Sequence, residues 1–258
     1  VIPTPTLIFD FDGTVALGTG PVRAYAVAAA SGIPAEQRAD FLTRVLDEHT
    51  DPEALDGYDR VARAARLLGV GEEELSAAYL HSRSVLGGAE APILAPRGFR
   101  EFLEQARTHA EIVLVTNAPA AGIDRVLQTL GLAPLFDRVV TQAGKPAGFP
   151  SILDELSASP LPERFTVEAG GQNVTRENAP SRDAFATESA AAAERGPVLS
   201  IGDIWENDLA PIHQRGHHTA LVGTRRPAEA TPDLAAERLE SLYPELLAWA
   251  RGEFIAAH

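Results

Sequence analysis

TLIFDFDGTV, residues 6–15, is an apolar run that turns acidic at Asp10 and Asp12 and breaks at Gly13. Its apolar residues are consecutive, without polar alternation. That pattern predicts a short strand buried on both faces, with its polar tip at the carboxyl end. Strands of this kind belong to parallel sheets covered by helices, and the rest of the chain agrees. Strand-like EIVLVTN (111–117), RVVTQ (138–142), VLSIGD (198–203) and HTALVG (218–223) alternate with helical FREFLEQART (99–108), IDRVLQTLGL (123–132), FPSILDELS (149–157) and DLAPIHQRG (208–216). DLAAERLESLYPELLAWA (233–250) reads as one final helix. The alternation implies a right-handed, mostly parallel α/β sheet with helices on both faces.

One block departs from the alternation. Residues 21–86 carry four apolar patterns at helical spacing, separated by Ser31-Gly32, Asp51-Pro52 and Gly69, with no strand pattern between them. GGAEAPILAPRG (87–98) reads as a linker. The expected division is a core of residues 1–17 and 91–258 with an all-helical domain, 18–90, inserted into it. Residues 158–197 fit neither pattern: RFTVEAG and NVTRE could pair as a hairpin, and SAAAAERG could be a helix end.

In a parallel α/β sheet, ligands sit outside the carboxyl ends of the strands. The first strand brings Asp10 and Asp12 there, 111–117 brings Thr116 and Asn117, and Lys145 follows 138–142. Strand 198–203 brings Asp203, with Asp208 about a helical turn later. Clustered carboxylates repel unless a cation neutralises them, and oxygen ligands without cysteine favour Mg²⁺ over zinc. Such a site beside a hydroxyl, an ammonium and a turn rich in N–H donors suits a phosphoryl group. Asp10 and Asp12 lie two apart on a strand end and so face the same side; one can attack while the other handles the proton.

Composition narrows the classes further. The 258 residues have a formal charge of −14, which opposes nonspecific binding to nucleic acid or anionic lipid. There is no cysteine, which excludes a thiol nucleophile and a disulfide framework. No signal-peptide pattern or membrane-length apolar run is evident, so a cytoplasmic location is the expectation. With no methionine at position 1, the numbering is not expected to begin at a natural start. Of 22 basic residues 21 are arginine, and Lys145 in QAGKPAGF (142–149) is the exception. A GC-rich coding sequence would make lysine rare anyway, so only the position of Lys145 can give it meaning.

DFDGT (10–14), VTN (115–117), GKP (144–146) and GDIWEND (202–208), in this order and each at a strand end, resemble the four signature motifs of the haloacid dehalogenase-like (HAD) hydrolases. The alternation resembles that family's Rossmann-like core, and the helical block its C1 cap. The resemblance covers nearly the whole chain except 158–197. It implies Asp10 as the nucleophile that forms an aspartyl-phosphate, and Asp12 as general acid and base. It implies Thr116, Asn117 and Lys145 around the transferring phosphoryl group. For Mg²⁺ it implies Asp10, Asp12 through its carbonyl, Asp203, and Asp208 as ligand or outer partner. The second Asp of DFDGT marks phosphoryl transfer rather than dehalogenation. The implied partner is a small phosphorylated metabolite. Alternatives are a phosphomutase and a catalytically weak binding protein of the same fold. VALGTG after Thr14 departs from the usual start of the cap, so substrate contacts there do not carry over.

Other features have plainer readings. Arg44, Arg60, Arg63 and Arg66 are expected mainly on a solvated cap face, with one or two able to reach substrate. His213, His217 and His218 lack ligand spacing and are expected to pack or face solvent. NVT at 173–175 matches a glycosylation acceptor, which carries no weight without a secretion signal.

Overall fold

The computed structural model describes residues 3–47, 50–51, 53–165 and 195–253. In chain order, β1 (Thr4–Phe9) leads into α1 (Gly20–Ala29), α2 (Arg38–Val45), α3 (Gly57–Leu67) and α4 (Glu72–Ser84). Then come α5 (Phe99–Ala106), β2 (Glu111–Val115), α6 (Ile123–Thr129), β3 (Arg138–Val140) and α7 (Phe149–Ala158). After β4 (Arg195–Gly202) follow α8 (Ala210–His213), β5 (His218–Val222), β6 (Leu234–Ala236) and α9 (Tyr243–Ala250). The described strands form one sheet in the order β3-β2-β1-β4-β5-β6, every pair parallel. The α/β expectation therefore holds.

Period two sorts the sheet residues onto two cores. Leu7 and Phe9 of β1, with Ile112 and Leu114 of β2, pack toward α5, α6 and α9. Ile8, Val113 and Val115 pack on the opposite face against α7 and α8. Phe9 meets Phe99, Phe102 and Phe136 edge-on, at centroid distances of 5.5, 6.2 and 6.4 Å. That geometry suits the ring quadrupoles. The helices α1–α4 bury an apolar cluster of their own, built on Tyr25, Ile33, Phe41, Val45, Val61 and Leu75. Asp56 caps α3 by accepting from the Asp59 N–H at 2.7 Å, a contact typically worth ~1 kcal/mol.

Two sequence expectations need correction. Residues 233–250 are not one helix: Leu234–Ala236 is the edge strand β6, and α9 starts only at Tyr243. Asp233 accepts from both the backbone N–H (2.7 Å) and the hydroxyl (3.0 Å) of Thr219, tying this segment beside β5. Tertiary pairing overrides the helix propensity of the Leu-Ala-Ala-Glu run, and Pro244 opens α9 in the first turn, where a missing N–H does no harm. Helix 208–216 is shorter than expected, a π-helical turn over Trp205–Leu209 followed by α8. Of the hairpin expected between RFTVEAG and NVTRE only Arg164 and Phe165 are described, and they lie in a single 3-10 turn; the rest, NVT included, falls outside the described residues. Of SAAAAERG only Arg195 and Gly196 are described, and they open β4 rather than end a helix.

Candidate active site

Strand order reverses direction at β1, whose neighbours are β2 on one side and β4 on the other. A crevice opens at the carboxyl ends of β1 and β4, where the connecting chains diverge. Asp10 directly follows β1 and extends its pairing, its N–H donating to the Ile201 carbonyl at 2.9 Å. The chain then folds into a tight turn, with the N–H groups of Val15 and Ala16 both donating to the Phe11 carbonyl. Gly13 sits in this turn at φ +86°, and a Cβ there would lie 2.3 Å from Asp203 Oδ2. Only glycine permits both the conformation and the approach of Asp203 to Asp10.

The lone lysine reaches this crevice. Lys145 Nζ donates to Asp10 Oδ1 at 2.5 Å and to Asp208 Oδ1 at 2.6 Å, and its side chain is only 2% exposed. Asp208 Oδ2 accepts from the Ile204 N–H at 3.0 Å, so both of its oxygens are engaged. A Cβ on Gly202 would meet Asp208 Cβ at 2.4 Å, which explains the glycine in that motif. Asn117 holds Lys145 by its backbone: Oδ1 accepts from the Lys145 N–H at 2.6 Å and Nδ2 donates to the Lys145 carbonyl at 3.1 Å. Thr116 is buried, and its Oγ1 accepts from the Ala118 N–H at 3.0 Å, which leaves the hydroxyl proton to donate elsewhere. Gly144 takes φ +65°, but a Cβ there meets nothing within 4 Å. It is required for its backbone conformation rather than for space. The crowding lies at the other end of the lysine, around Nζ.

Burial, with Asp208 and Asp12 nearby, pushes the Asp10 carboxyl up to about 7 against the pull of Lys145. Asp203 is also pushed well above the carboxylate range, by burial and then by Asp10 and Asp208. Burial opposes the Lys145 charge, but Asp10 and Asp208 outweigh it and hold the ammonium above its usual range. The site thus has more negative charge than its cation neutralises. Carboxylate oxygens of Asp10, Asp203 and Asp208 lie within 4.8 Å of one another. Asp203 Oδ1 is buried without a hydrogen-bond partner. An orphaned buried carboxylate oxygen facing two more carboxylates fits a hard divalent cation held by oxygen. The Asp12 carboxylate does not join this group.

Asp12 points instead to a residue that sequence reasoning missed. Arg83, at the end of α4 and fully buried, places Nη1 2.9 and 3.2 Å from the two Asp12 oxygens and 2.9 Å from Tyr58 Oη. A signal existed: Arg83 continues the inward stripe of Leu75, Ala78 and Ser82 on α4, and a charge on an apolar stripe calls for a partner. Two cavities open beside Asp12. One of about 320 Å³ is lined by Asp10, Thr116, Lys145, Asp56, Tyr58 and Tyr79. The other, about 400 Å³, lies between Gly13 and Asp203 on the sheet side and Asp51, Asp56 and Arg60 on the helical side.

The four arginines singled out earlier differ in setting, and Arg60 is half-buried, its Nε donating to the Val45 carbonyl at 2.9 Å. Arg63 pairs with Asp51 and Glu53, Arg66 with Glu72, and Arg44 is exposed; Arg60 alone of the four lines a cavity. His218 accepts from Trp249 Nε1 at 3.2 Å and His213 packs on Trp205. None of the three histidines joins the carboxylate group. No described helix is long and apolar enough to cross a membrane.

The model of the haloacid dehalogenase-like hydrolase family matches residues 4–179. No curated protein sequence matches the chain. Among solved structures, the magnesium-bound YfnB of Bacillus subtilis, assigned as an HAD-hydrolase, is 18% identical, with a TM-score of 0.55. The alignment covers 95% of this chain and 99% of that one. An HAD phosphatase from Thermococcus onnurineus is 19% identical with a TM-score of 0.51, over 94% of this chain and 97% of that one. A protein from Clostridium difficile assigned as a phosphatase is 14% identical with a TM-score of 0.57, over 95% and 100%. At these identities the structures share the fold.

Proposed function

The chain belongs to the haloacid dehalogenase-like hydrolases, and on that footing we propose that it is a Mg²⁺-dependent phosphatase of a small phosphomonoester, working through an aspartyl-phosphate. The observation that carries this reading is the convergence of Asp10, Lys145, Asp203 and Asp208 at the β1/β4 crevice, with Asp12 two residues from the nucleophile. We assign residues 1–17 and 91–258 to the core and 18–90 to the cap; the separate apolar cluster of α1–α4 supports that division.

An Asp10 oxygen attacks phosphorus in line with the ester oxygen. As the P–O bond to the leaving group breaks, Asp12 gives that oxygen a proton, and the alcohol departs. Asp12 then takes a proton from water, which attacks the phosphorus of the aspartyl-phosphate and releases phosphate with Asp10 restored. Lys145 sits against one Asp10 oxygen, Oδ1, from where its charge can balance that of the phosphoryl group. Thr116 has a hydroxyl proton to donate to the same group. Asn117 acts through Lys145, whose backbone it holds. Mg²⁺ would be held by Asp10, the Asp12 carbonyl and Asp203, with Asp208 beside them, and would supply fixed positive charge next to the transferring group. The two cavities beside Asp12 have room for a small leaving group, and the cap over them would exclude water.

Phosphate release from a panel of metabolite phosphates, with Mg²⁺ and with chelator, tests the reading. Asp10→Asn keeps shape but removes the attacking charge, and turnover should fall to background in a folded protein. Wild-type-like turnover in that variant would sink the mechanism.

A further inference from the structure

We propose that Arg83 is a positioning residue for Asp12, fixing its carboxylate toward the leaving-group oxygen; this rests on the phosphatase reading above. Asp12 is the partly open member of the pair, its side chain 31% exposed while that of Arg83 is at 0%. One side of the carboxylate is gripped through both oxygens by Arg83 Nη1, and the residue also lines the two cavities where a substrate would lie. A carboxylate in a turn has several rotamers, and this grip selects one of them.

The grip is carried by α4 of the helical block and tied to the sheet domain at that helix's end. Arg125 of α6 donates through Nη2 to the carbonyls of Ser84 (2.7 Å) and Leu86 (2.8 Å), tying down the end of α4. Gly122 approaches so closely that a Cβ there would lie 2.4 Å from the Arg83 carbonyl. From this fixed base, the same Nη1 also donates to Tyr58 of α3, and the guanidinium lies 5.8 Å from the Phe11 ring and 6.0 Å from the Tyr79 ring.

A purely structural role explains Arg83 poorly. Its Nε and Nη2 are buried without hydrogen-bond partners. A buried guanidinium that satisfies one of its three nitrogens leaves two polar atoms desolvated without return, an inefficient way to stabilise a fold. The charge is accounted for by what it does to Asp12.

The test uses full-length protein in Mg²⁺ and a series of phosphomonoesters from alkyl to nitrophenyl. Poor leaving groups need the proton from Asp12, and good ones do not. Arg83→Met should lose on the order of 10²-fold in kcat/KM on alkyl esters but under about tenfold on nitrophenyl ester; the lost ion pair lowers Tm as well, but a loss of stability alone favours neither ester. Arg83→Lys should recover part of the alkyl activity. An equal loss along the series, or no loss, overturns the proposal. Should Arg83→Met fail to fold, Arg83→Gln carries the same comparison. Crystal structures of wild type and variant give a second readout: the Asp12 carboxylate should turn away in the variant, and an unmoved carboxylate overturns the proposal. A wild type that hydrolyses none of the esters sinks the phosphatase reading instead, and the Asp12 orientation then decides the positioning role by itself.

Discussion

Asn117 clamps Lys145 from both sides of its peptide, accepting from the N–H at 2.6 Å and donating to the carbonyl at 3.1 Å. The side chain of Lys145 is thereby aimed at Asp10 and Asp208 from a fixed base. Asn117→Ala removes both bonds and should lower kcat by roughly 10- to 10²-fold, the scale on which misplacing a catalytic group acts. Asn117→Asp keeps the acceptor and loses the donor, so it should fall in between. Steady-state kinetics on both variants check this. Normal kcat in Asn117→Ala would show that the loop holds Lys145 without help.

The carboxylate cluster predicts how metal and pH interact. Burial first, then Asp208 and Asp12, raises Asp10 from an ordinary carboxylate to about 7 in the metal-free site. A raised acid binds its proton more tightly in the folded state than in the unfolded one. Stability from this group is therefore greatest at low pH and declines as pH rises from about 4 toward 7. Asp203, raised by burial and its neighbours, adds in the same direction. A divalent cation relieves the repulsion, so the rise in Tm on adding Mg²⁺ should be small at pH 5 and grow through pH 8. Thermal melts with and without Mg²⁺ at each pH decide the matter. An increment independent of pH would place the cation away from these carboxylates.

The turn after β1 gives a sharper test of the same site. Gly13→Ala puts a methyl group 2.3 Å from Asp203 Oδ2 at a φ of +86°. The backbone strain alone costs about 1 kcal/mol, which a folded domain tolerates. The displaced Asp203 is the larger effect, and Mg²⁺ affinity by calorimetry should fall at least about tenfold. Wild-type affinity would mean that the turn gives way rather than the ligand.

What the sequence made legible follows from how local each signal is. β1 is an apolar run with an acidic tip, and the four strand-end motifs follow it in order, so the rim residues could be named before any coordinates. Pairing of β6 with β5 was not legible, because it depends on Asp233 reaching Thr219 fourteen residues away. Pro244 did carry a local warning, since a proline inside an apparent helix marks its first turn. Arg83 was hidden for a different reason: its partner Asp12 is 71 residues distant, and only its place on the buried stripe of α4 sets it apart from the other arginines of the helical block. The hold of Asn117 on the Lys145 backbone was not legible either, because its motif names the residue but not the atoms it binds.

Lys145 gives the strictest test, because composition offers a rival account. Twenty-one of the 22 basic residues are arginine, so an accidental lysine should accept that replacement. The structure argues otherwise, though not through the neighbouring glycine, where a Cβ would find open space. Nζ is confined between two buried carboxylates, 2.5 Å from Asp10 and 2.6 Å from Asp208. Phe149, its ring 6.0 Å away, closes another side. A compact ammonium fits as a point charge shared by both acids. The planar guanidinium is wider and prefers a bidentate partner, and would displace Asp10 from its line of attack. Lys145→Arg should therefore lose about 10²-fold or more in kcat, as when a preorganised charge stabiliser is removed. Lys145→Met leaves Asp10 and Asp208 facing each other unneutralised, so it should lose at least as much activity and should lower Tm in the absence of Mg²⁺. Kinetics and melts on the two variants separate the accounts, and near-normal kcat in Lys145→Arg would leave the lysine an accident of composition.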